Sequence, residues 1–279
     1  MGPVKIVDAK GAGLTVYEWD NVYFPNWPWL KDAHLKALRT MPLREDDVFL
    51  CTYPKSGTHW AHEILDMLLT GKTDKHQLPT APLAGMTMDY IEHELASPRI
   101  FNNHLYPKHM PEGATDKVKV VCVSRNPKDI AVSMYHFNKV SPEMGYDGEW
   151  SDFLPLFLEG KGIYNSWWEY TLQWWNAEKK NPNILWLTYE DMQEDCFHQI
   201  KRVDQFLDTG RTLDFMETVN KRCSFQSMTK SLQAQHTRFF RKGEVGDWKN
   251  WFTVAQNEEF DTFHQQKMKN SDFTVRFEL

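Results

Sequence analysis

The sequence predicts an α/β fold: a single domain over residues 1–279, in which a central parallel sheet is flanked by helices. Four short β-like runs alternate with longer helical patterns, which is typical of parallel strands joined by crossover helices. No stretch rich in Pro, Gly or Ser divides the 279 residues, a length that one large domain can occupy. Hydrophobic residues make up 41% of the chain and charged residues 25%, which favours a packed core over a disordered chain.

The first strand and helix are predicted on either side of a short polar turn. Residues 47–52 (DVFLCT) are mostly apolar and predict a buried strand. After the turn YPKSG, a helix is predicted from about Thr58. Its apolar side chains recur every three or four positions, at Trp60, Ile64, Met67 and Leu68.

Two further strand–helix pairs repeat this arrangement. Residues 118–123 (VKVVCV) predict a buried strand, and the helix after it has Asn126 as N-cap and Pro127 as its first residue. Residues 184–187 predict a third strand. The apolar positions of its following helix fall on one face, at Cys196, Ile200, Val203 and Leu207.

Residues 153–175 are predicted as a helical region. Its tryptophans fall on one face because they are paired seven positions apart, as Trp167, Trp168, Trp174 and Trp175. Core packing explains such a stripe more simply than ligand binding does.

The charge balance limits the classes of partner. Lys and Arg number 32 against 38 Asp and Glu, a formal net charge of −6. Proteins that bind nucleic acid or anionic membranes usually present basic surfaces, so neither partner is expected, and an anion site must be a local basic cluster. No apolar run approaches the ~18 residues that span a bilayer. The four cysteines form no CxxC pair, so we expect reduced thiols and a cytoplasmic protein.

Residues 53–60 (YPKSGTHW) carry the strongest local signal, because they lie between a predicted strand and a predicted helix. A helix N-terminus presents backbone N–H groups and partial positive charge to an anion. Gly57 allows close approach of the backbone, while Lys55 adds a charge and Ser56 and Thr58 add hydroxyl donors. The segment therefore predicts a phosphate-binding strand–loop–helix unit, with a tight turn bearing a solvated lysine as the simpler alternative.

Two other basic segments are candidates for phosphate contacts. Arg125 follows the second strand at the edge where open α/β sheets bind ligands, and its planar guanidinium suits a phosphate. Ser133 lies two turns into the next helix, and Arg241 and Lys242 precede Gly243. Taken singly, Arg125 is explained more simply by a surface ion pair, and residues 241–243 by a solvated loop.

Together and in this order, the segments resemble the cytosolic sulfotransferase family, which uses 3′-phosphoadenosine-5′-phosphosulfate (PAPS). The resemblance covers nearly the whole chain, from TYPKSGTHW through RNPKDIAVSMYHF and LTYEDM to RKGEVGDWKNWFTVAQNE. It implies a P-loop-like sulfotransferase fold and a PAPS-dependent sulfotransferase that needs no metal. The products would be a sulfate ester, or a sulfamate, and adenosine 3′,5′-bisphosphate (PAP).

The resemblance also implies which residues contact the nucleotide. The loop that holds the 5′-phosphosulfate corresponds to Lys55, Ser56, Gly57, Thr58, His59 and Trp60, the last of which stacks on the adenine. The region around the 3′-phosphate corresponds to Arg125, Ser133, Phe239, Phe240, Arg241, Lys242 and Gly243. The adenine side corresponds to Tyr189, Cys223, Ser224, Phe225 and Met228. Cys223 replaces the usual Thr or Ser, and a thiol is a weaker hydrogen-bond donor.

The catalytic groups are implied in the same way. The family's catalytic histidine lies in a Lys-x-His-Leu pattern, and residues 101–105 (FNNHL) place His104 at that position. Lys55 would stabilise charge on the leaving phosphate, and Ser133 would restrain Lys55 until an acceptor binds. The family lysine is replaced by Asn102, which brings no positive charge. A catalytically impaired relative that binds PAPS or PAP is therefore the alternative interpretation.

The expected acceptor is a small, mostly apolar molecule with one hydroxyl or amine. The side chains expected at its pocket are Phe24, Met86, Tyr90, His104 and Phe137. A family dimerisation motif corresponds to Lys249, Thr253, Val254 and Glu258 and implies a possible homodimer, although Thr253 also fits a plain helix N-cap. A nucleotide kinase is disfavoured because the GxxxxGK[ST] loop is absent, and a Golgi membrane sulfotransferase because no N-terminal anchor is seen.

Overall fold

The computed structural model describes residues 3–74, 87–236 and 241–279, and of residues 231–236 it describes the helical backbone alone. The chain begins with strands β1 (Pro3–Val7), β2 (Gly13–Trp19) and β3 (Val22–Pro25), which form an antiparallel sheet in the order β1-β2-β3. The sequence patterns above did not predict this sheet. Its inward side chains, such as Leu14, Val16 and Phe24, are fully buried.

A second sheet contains four parallel strands, as predicted. These are β4 (Val48–Thr52), β5 (Ile100–Asn103), β6 (Lys119–Ser124) and β7 (Ile184–Thr188), in the order β5-β4-β6-β7. Cys51 lies opposite both Asn103 and Cys122, so the carboxyl ends of the three strands coincide. The loops that leave these ends meet at one edge of the sheet, where open parallel sheets bind ligands.

The helices include the predicted ones and begin where the local chemistry dictates. They are α1 (Asp32–Arg39), α2 (Thr58–Thr70), α3 (Ala114–Lys117), α4 (Pro127–Val140), α5 (Trp150–Leu158), α6 (Trp167–Glu178), α7 (Tyr189–Glu194), α8 (Cys196–Leu207), α9 (Leu213–Arg222), α10 (Phe225–His236) and α11 (Val254–Met268). The predicted N-cap of α4 is confirmed, because Asn126 Oδ1 accepts a hydrogen bond from the Asp129 N–H at 2.8 Å. Thr253 likewise caps α11, with Gln256 completing a capping box.

The predicted helical region over residues 153–175 is interrupted. Helix α5 ends at Leu158 and α6 starts at Trp167, with Ser166 as its N-cap. Gly160, Tyr164 and Asn165 between them adopt positive φ angles, which a continuous helix cannot contain. The core interpretation of the tryptophans is confirmed: three of the four are buried, namely Trp167, Trp168 and Trp174.

Both faces of the parallel sheet are covered. Side chains of one face, such as Phe49 and Cys122, belong to a large core that includes the N-terminal sheet and helices α4, α5 and α6. Those of the other face, such as Leu50 and Val121, pack against α2, α8 and α9. This burial explains why the strands are continuous apolar runs. Among the described residues, the helices are all too short or too polar to cross a membrane.

Candidate active site

The loop between β4 and α2 has the geometry of an anion-binding turn. Lys55 and Gly57 adopt positive φ angles of 72° and 94°. A Cβ on Gly57 would lie 2.8 Å from Cδ2 of Tyr189, so the position requires glycine for both its backbone and its contact. The Ser56 hydroxyl is buried without a hydrogen-bond partner among the described residues. A buried donor at a helix N-terminus is well placed to bind an anionic oxygen.

Arg125, at the end of β6, joins this loop to the third basic segment. Its Nη1 donates to the carbonyl of Lys55 at 3.2 Å, and its Nη2 donates to the carbonyl of Glu244 at 2.8 Å. The guanidinium carbon lies 4.2 Å from the ring centroid of Tyr189, a cation–π contact. Three segments that are far apart in sequence are therefore brought together at one arginine.

The adenine-side residues lie against the same cluster. Gly243 has a φ of 71°, and a Cβ there would lie 2.2 Å from Cδ2 of Phe225, so the Phe225 ring packs directly on its backbone. Gln193, which the sequence reasoning missed, donates to the carbonyl of Gly243 at 3.0 Å and to the Tyr189 hydroxyl at 3.1 Å. The rings of Trp60 and Tyr189 meet edge to face at 5.4 Å.

Arg241 and Lys242 converge on a carboxylate that no sequence motif marked. Arg241 Nη1 donates to Oδ2 of Asp247, and Lys242 Nζ donates to its Oδ1. Burial by itself would raise the pKa of Asp247, but hydrogen bonds from Lys242, Asn250 and Arg241 outweigh it and lower the pKa to about 2. Asp247 is therefore ionised at neutral pH and holds both cations.

His104 follows β5 and faces the end of the neighbouring strand β4. Its Nδ1 lies 2.7 Å from the carbonyl oxygen of Thr52. Because a carbonyl can only accept, Nδ1 carries the proton and Nε2 keeps its lone pair. Burial lowers the pKa of His104 to about 4; the hydrogen bond to Thr52 opposes this shift and the charge of Lys55 adds to it. The imidazole is therefore a neutral base at pH 7.

The His104 ring packs against Tyr164, a residue that the sequence reasoning missed. The two ring centroids are 5.0 Å apart, and the other side of Tyr164 meets Phe24 at 5.4 Å. Two buried tyrosines hold the backbone here: Tyr106 donates to the carbonyl of Tyr164, and Tyr53 donates to the carbonyl of Asn165. No local pattern marks Tyr164, because its partners lie far away in the sequence.

The remaining predicted residues differ in how closely they approach this site. Lys55 Nζ lies 4.8 Å from the ring centroid of Phe137, so a predicted catalytic group and a predicted acceptor contact are adjacent. Ser133 is buried on α4, while Tyr90 is 41% exposed in a π-helical turn (Tyr90–Glu94). Cys223 is fully buried in the core beside α9.

Four further predicted nucleotide contacts lie at the starts of helices. The Thr58 hydroxyl lies 2.7 Å from that of Thr52, and His59 follows it in the first turn of α2. Ser224 is exposed just before α10, and Met228 is buried within it. Met86, Phe239 and Phe240 lie outside the described residues.

Asn102 lies in β5, two residues before His104. It is buried at 4% exposure, and neither atom of its amide has a hydrogen-bond partner among the described residues. The amide still lies close enough to His62 of α2 to influence that ring, whose pKa burial lowers to about 4. We therefore read the Asn102–His62 pair as a close contact without full hydrogen-bond geometry.

The described residues contain no group of three or more His, Cys, Asp or Glu side chains that could hold a metal ion.

Comparison with known proteins agrees with this arrangement. A family model described as a sulfotransferase domain matches residues 45–272. The chain is 35% identical over 270 residues to Sulfotransferase 1A1 of Mus musculus, covering 88% of this chain and 92% of that protein. It is 31% identical over 295 residues to Cytosolic sulfotransferase 1 of Danio rerio, covering 95% and 96%. The chain belongs to the cytosolic sulfotransferase family.

Solved structures resemble the fold over most of its length. The crystal structure of mouse sulfotransferase SULT7A1 complexed with PAP has a TM-score of 0.81 and 32% identity, covering 92% of this chain and 95% of that one. Retinol dehydratase, in complex with androsterone and PAP, has a TM-score of 0.80 over 98% of this chain and 92% of its own. Its 20% identity supports the fold alone.

Proposed function

We propose that the chain transfers the sulfuryl group of PAPS to a hydroxyl or amine of a small, mostly apolar acceptor. One observation carries the proposal: Thr52, the last residue before the anion-binding loop, accepts the hydrogen bond that fixes His104. A neutral base and a phosphate-binding turn are therefore held by the same residue. This is the juxtaposition that transfer of a sulfuryl group between two oxygens requires.

The residues present fit PAPS. In our proposal, Ser56, Thr58 and the N-terminus of α2 bind the 5′-phosphosulfate, for which the unpartnered Ser56 hydroxyl is suited. The cluster of Arg125, Arg241 and Lys242 binds the 3′-phosphate. The solved structure of mouse sulfotransferase SULT7A1, which is complexed with PAP, supports the same ligand.

The proposed reaction begins with the acceptor hydroxyl directed at Nε2 of His104. As its oxygen bonds to sulfur, the proton moves to Nε2 and the bond between sulfur and the 5′-phosphate oxygen breaks, releasing PAP. By analogy with phosphoryl transfer, the attacking and leaving oxygens lie in line. Lys55 and the N-terminus of α2 stabilise the charge that develops on the leaving phosphate. We assign Ser133 the role of restraining Lys55 until an acceptor is bound.

The acceptor side is aromatic. Phe24 and Tyr164 form a buried row of rings that ends at His104, and Phe137 lies beside Lys55. Tyr90 is a further proposed contact of the acceptor, and Met86, which lies outside the described residues, stays a sequence prediction. Such a lining favours a small apolar acceptor such as a phenol or an alcohol over a highly charged one.

A radiolabel assay tests the function directly. Purified protein is incubated with ³⁵S-labelled PAPS and a panel of phenols, steroids and amines, and PAP binding is measured by calorimetry. We expect PAP binding together with transfer to at least one apolar acceptor. Absence of PAP binding would contradict the proposal.

Asn102 keeps a second candidate open, a relative that binds the nucleotide but turns over slowly. The absence of the family lysine's positive charge at this position favours this interpretation. If the missing charge limits the rate, Asn102→Lys should raise turnover on a simple phenol by about tenfold or more. An unchanged or lower rate in the same assay would show that the native site does not need the charge.

We also propose a cytoplasmic location and a homodimer. The name of the zebrafish relative supports the first. For the second, Val254 is 76% exposed in the predicted dimerisation motif, and Lys249 lies at its start, paired with Glu278 at 2.9 Å. Thr253 and Glu258 complete the motif. Sedimentation equilibrium distinguishes a monomer from a dimer, and a monomer at all concentrations would contradict the second proposal.

A further inference from the structure

Two buried carboxylates lie beneath the loop of residues 241–248. Asp129, in the first turn of α4, has no exposed surface, and the side chain of Asp247 has none either. Neither lies among the residues expected to touch the nucleotide. Buried carboxylates are unfavourable unless they are fully hydrogen-bonded, so their partners reveal what each one holds.

Asp129 holds the backbone of the loop. The Gly246 N–H donates to its Oδ2 at 2.8 Å, and the Trp248 N–H donates to its Oδ1 at 3.0 Å. Asn126, the N-cap of α4, donates its side-chain N–H to Oδ2 at 2.9 Å. The loop is thereby fixed to the helix that follows Arg125.

Asp247 holds the side chains of the loop. Each of its two oxygens accepts from one cation, Arg241 or Lys242, and Asn250 donates to Oδ1 at 2.8 Å. The side chains of Arg241 and Lys242 are 24% and 45% exposed, whereas that of Asp247 is 0% exposed. The cations therefore lie on the solvent side of the carboxylate. An arginine has five N–H donors and a lysine three, so donors remain for a ligand.

We propose that Asp129 and Asp247 are positioning residues for the 3′-phosphate of the nucleotide. Asp129 fixes the loop backbone, and Asp247 fixes the two cationic side chains before the phosphate arrives. Long side chains lose conformational entropy when a ligand orders them, and ordering them in advance strengthens binding. This inference rests on the proposed function, because it assigns the loop to the 3′-phosphate.

The test compares two nucleotides that differ in that phosphate alone. Dissociation constants for PAP and for adenosine 5′-monophosphate are measured by calorimetry for the wild type, Asp129→Asn and Asp247→Asn. We expect each variant to weaken PAP binding by about tenfold, since Asp129→Asn loosens the loop backbone and Asp247→Asn leaves two long side chains no longer pre-ordered. The affinity for the monophosphate should change by less than about twofold, because its 5′-phosphate contacts are assigned to the loop after β4 and its adenine contacts to residues such as Tyr189 and Phe225.

The controls separate this role from others. Asp152→Asn removes a carboxylate of helix α5 that pairs with Lys10 at 2.9 Å. This substitution should alter the dissociation constant of neither nucleotide. Thermal unfolding identifies a variant that fails to fold; the other variant then decides, because the two carboxylates hold different parts of the loop.

Three outcomes would overturn the inference. One is an unchanged dissociation constant for PAP in the folded variants, and another is an equal loss of affinity for both nucleotides, which indicates a general structural role. The third is tighter PAP binding by Asp247→Asn, which would mean that the carboxylate competes with the phosphate. If the wild type itself does not prefer PAP to the monophosphate, the proposed function is wrong, and the positioning role falls with it.

Discussion

Residues 55–60 supply most of the proposed phosphosulfate contacts from six consecutive positions, whereas the acceptor side draws on four distant ones, at Phe24, His104, Phe137 and Tyr164. The first arrangement is local in sequence, because one strand, the turn after it and the next helix suffice to build it. The second needs contacts between the N-terminal sheet, the loop before α6 and the end of β5. Half of the site is therefore local and half is assembled by tertiary packing.

Because of this difference, we expect substitutions on one side to affect mainly nucleotide binding and substitutions on the other to affect mainly turnover or acceptor binding. On the nucleotide side (residues 55–60, Arg125 and residues 241–248), a loss of contact should weaken PAP binding. On the acceptor side (Phe24, His104, Phe137 and Tyr164), it should alter turnover or the KM for the acceptor. Substitutions that affect both sides equally would show that the division is wrong.

The largest effect is expected for His104→Ala. Turnover should fall by at least ~10²-fold, because a positioned general base is removed, while PAP binding is retained. The ³⁵S transfer assay and calorimetry on the same preparation measure both quantities. Near-normal transfer would remove His104 from the mechanism.

Arg241→Ala should weaken PAP binding by about 10- to 100-fold, since a hydrogen bond to a charged group contributes about 1.5–3 kcal/mol. The KM for the acceptor should stay within a factor of about two, because the acceptor side is built elsewhere. Calorimetry and steady-state kinetics check the two halves. Equal losses for nucleotide and acceptor would refute the assignment of Arg241.

Two buried histidines, His62 and His104, should make the stability of the protein depend on pH. The pKa of His62 and that of His104 are both about 4 in the folded chain, below the ordinary value of about 6.5. The unfolded chain therefore binds more protons between these values. The contribution of each neutral histidine to the stability of the folded state is fully present above pH 6.5 and is lost as the pH falls toward 4.

At pH 5, each histidine should lower the free energy of unfolding by on the order of 2 kcal/mol relative to pH 8. His62→Gln should flatten this dependence in urea unfolding curves without changing the KM for the acceptor, since His62 packs beneath the nucleotide side. An unchanged slope in the variant would contradict the low pKa of His62.

The smallest effect is expected for Tyr53→Phe, which removes the hydroxyl that donates to the Asn165 carbonyl at 2.7 Å. We expect a loss of about 1 kcal/mol in stability and a severalfold rise in the acceptor KM, with PAP binding unchanged. Tyr146→Phe is the matched control, because its hydroxyl donates to Asp8 at 2.8 Å, outside the residues assigned to the site. A rise in KM for the control as well would remove the link to Tyr164.

The sequence predicted the parallel sheet, the anion-binding turn and the start of α4 because each is encoded by neighbouring residues. Asn126 and Pro127, for example, specify a helix start without reference to the rest of the chain. Tyr164 and Asp247 were missed, because their importance comes from contacts formed by tertiary packing and not from a pattern of neighbouring residues in the sequence. The N-terminal sheet was also missed: of its residues only Phe24 was interpreted, as a pocket side chain and not as part of a strand.

The low pKa of His104 has a consequence for what happens after each transfer. In the nucleotide-free chain at pH 7, a group with a pKa of about 4 is protonated only about one time in a thousand. If His104 takes the proton of the acceptor as proposed, the imidazole is expected to lose that proton again once the products have left. The side chain would then enter the next cycle as a neutral base.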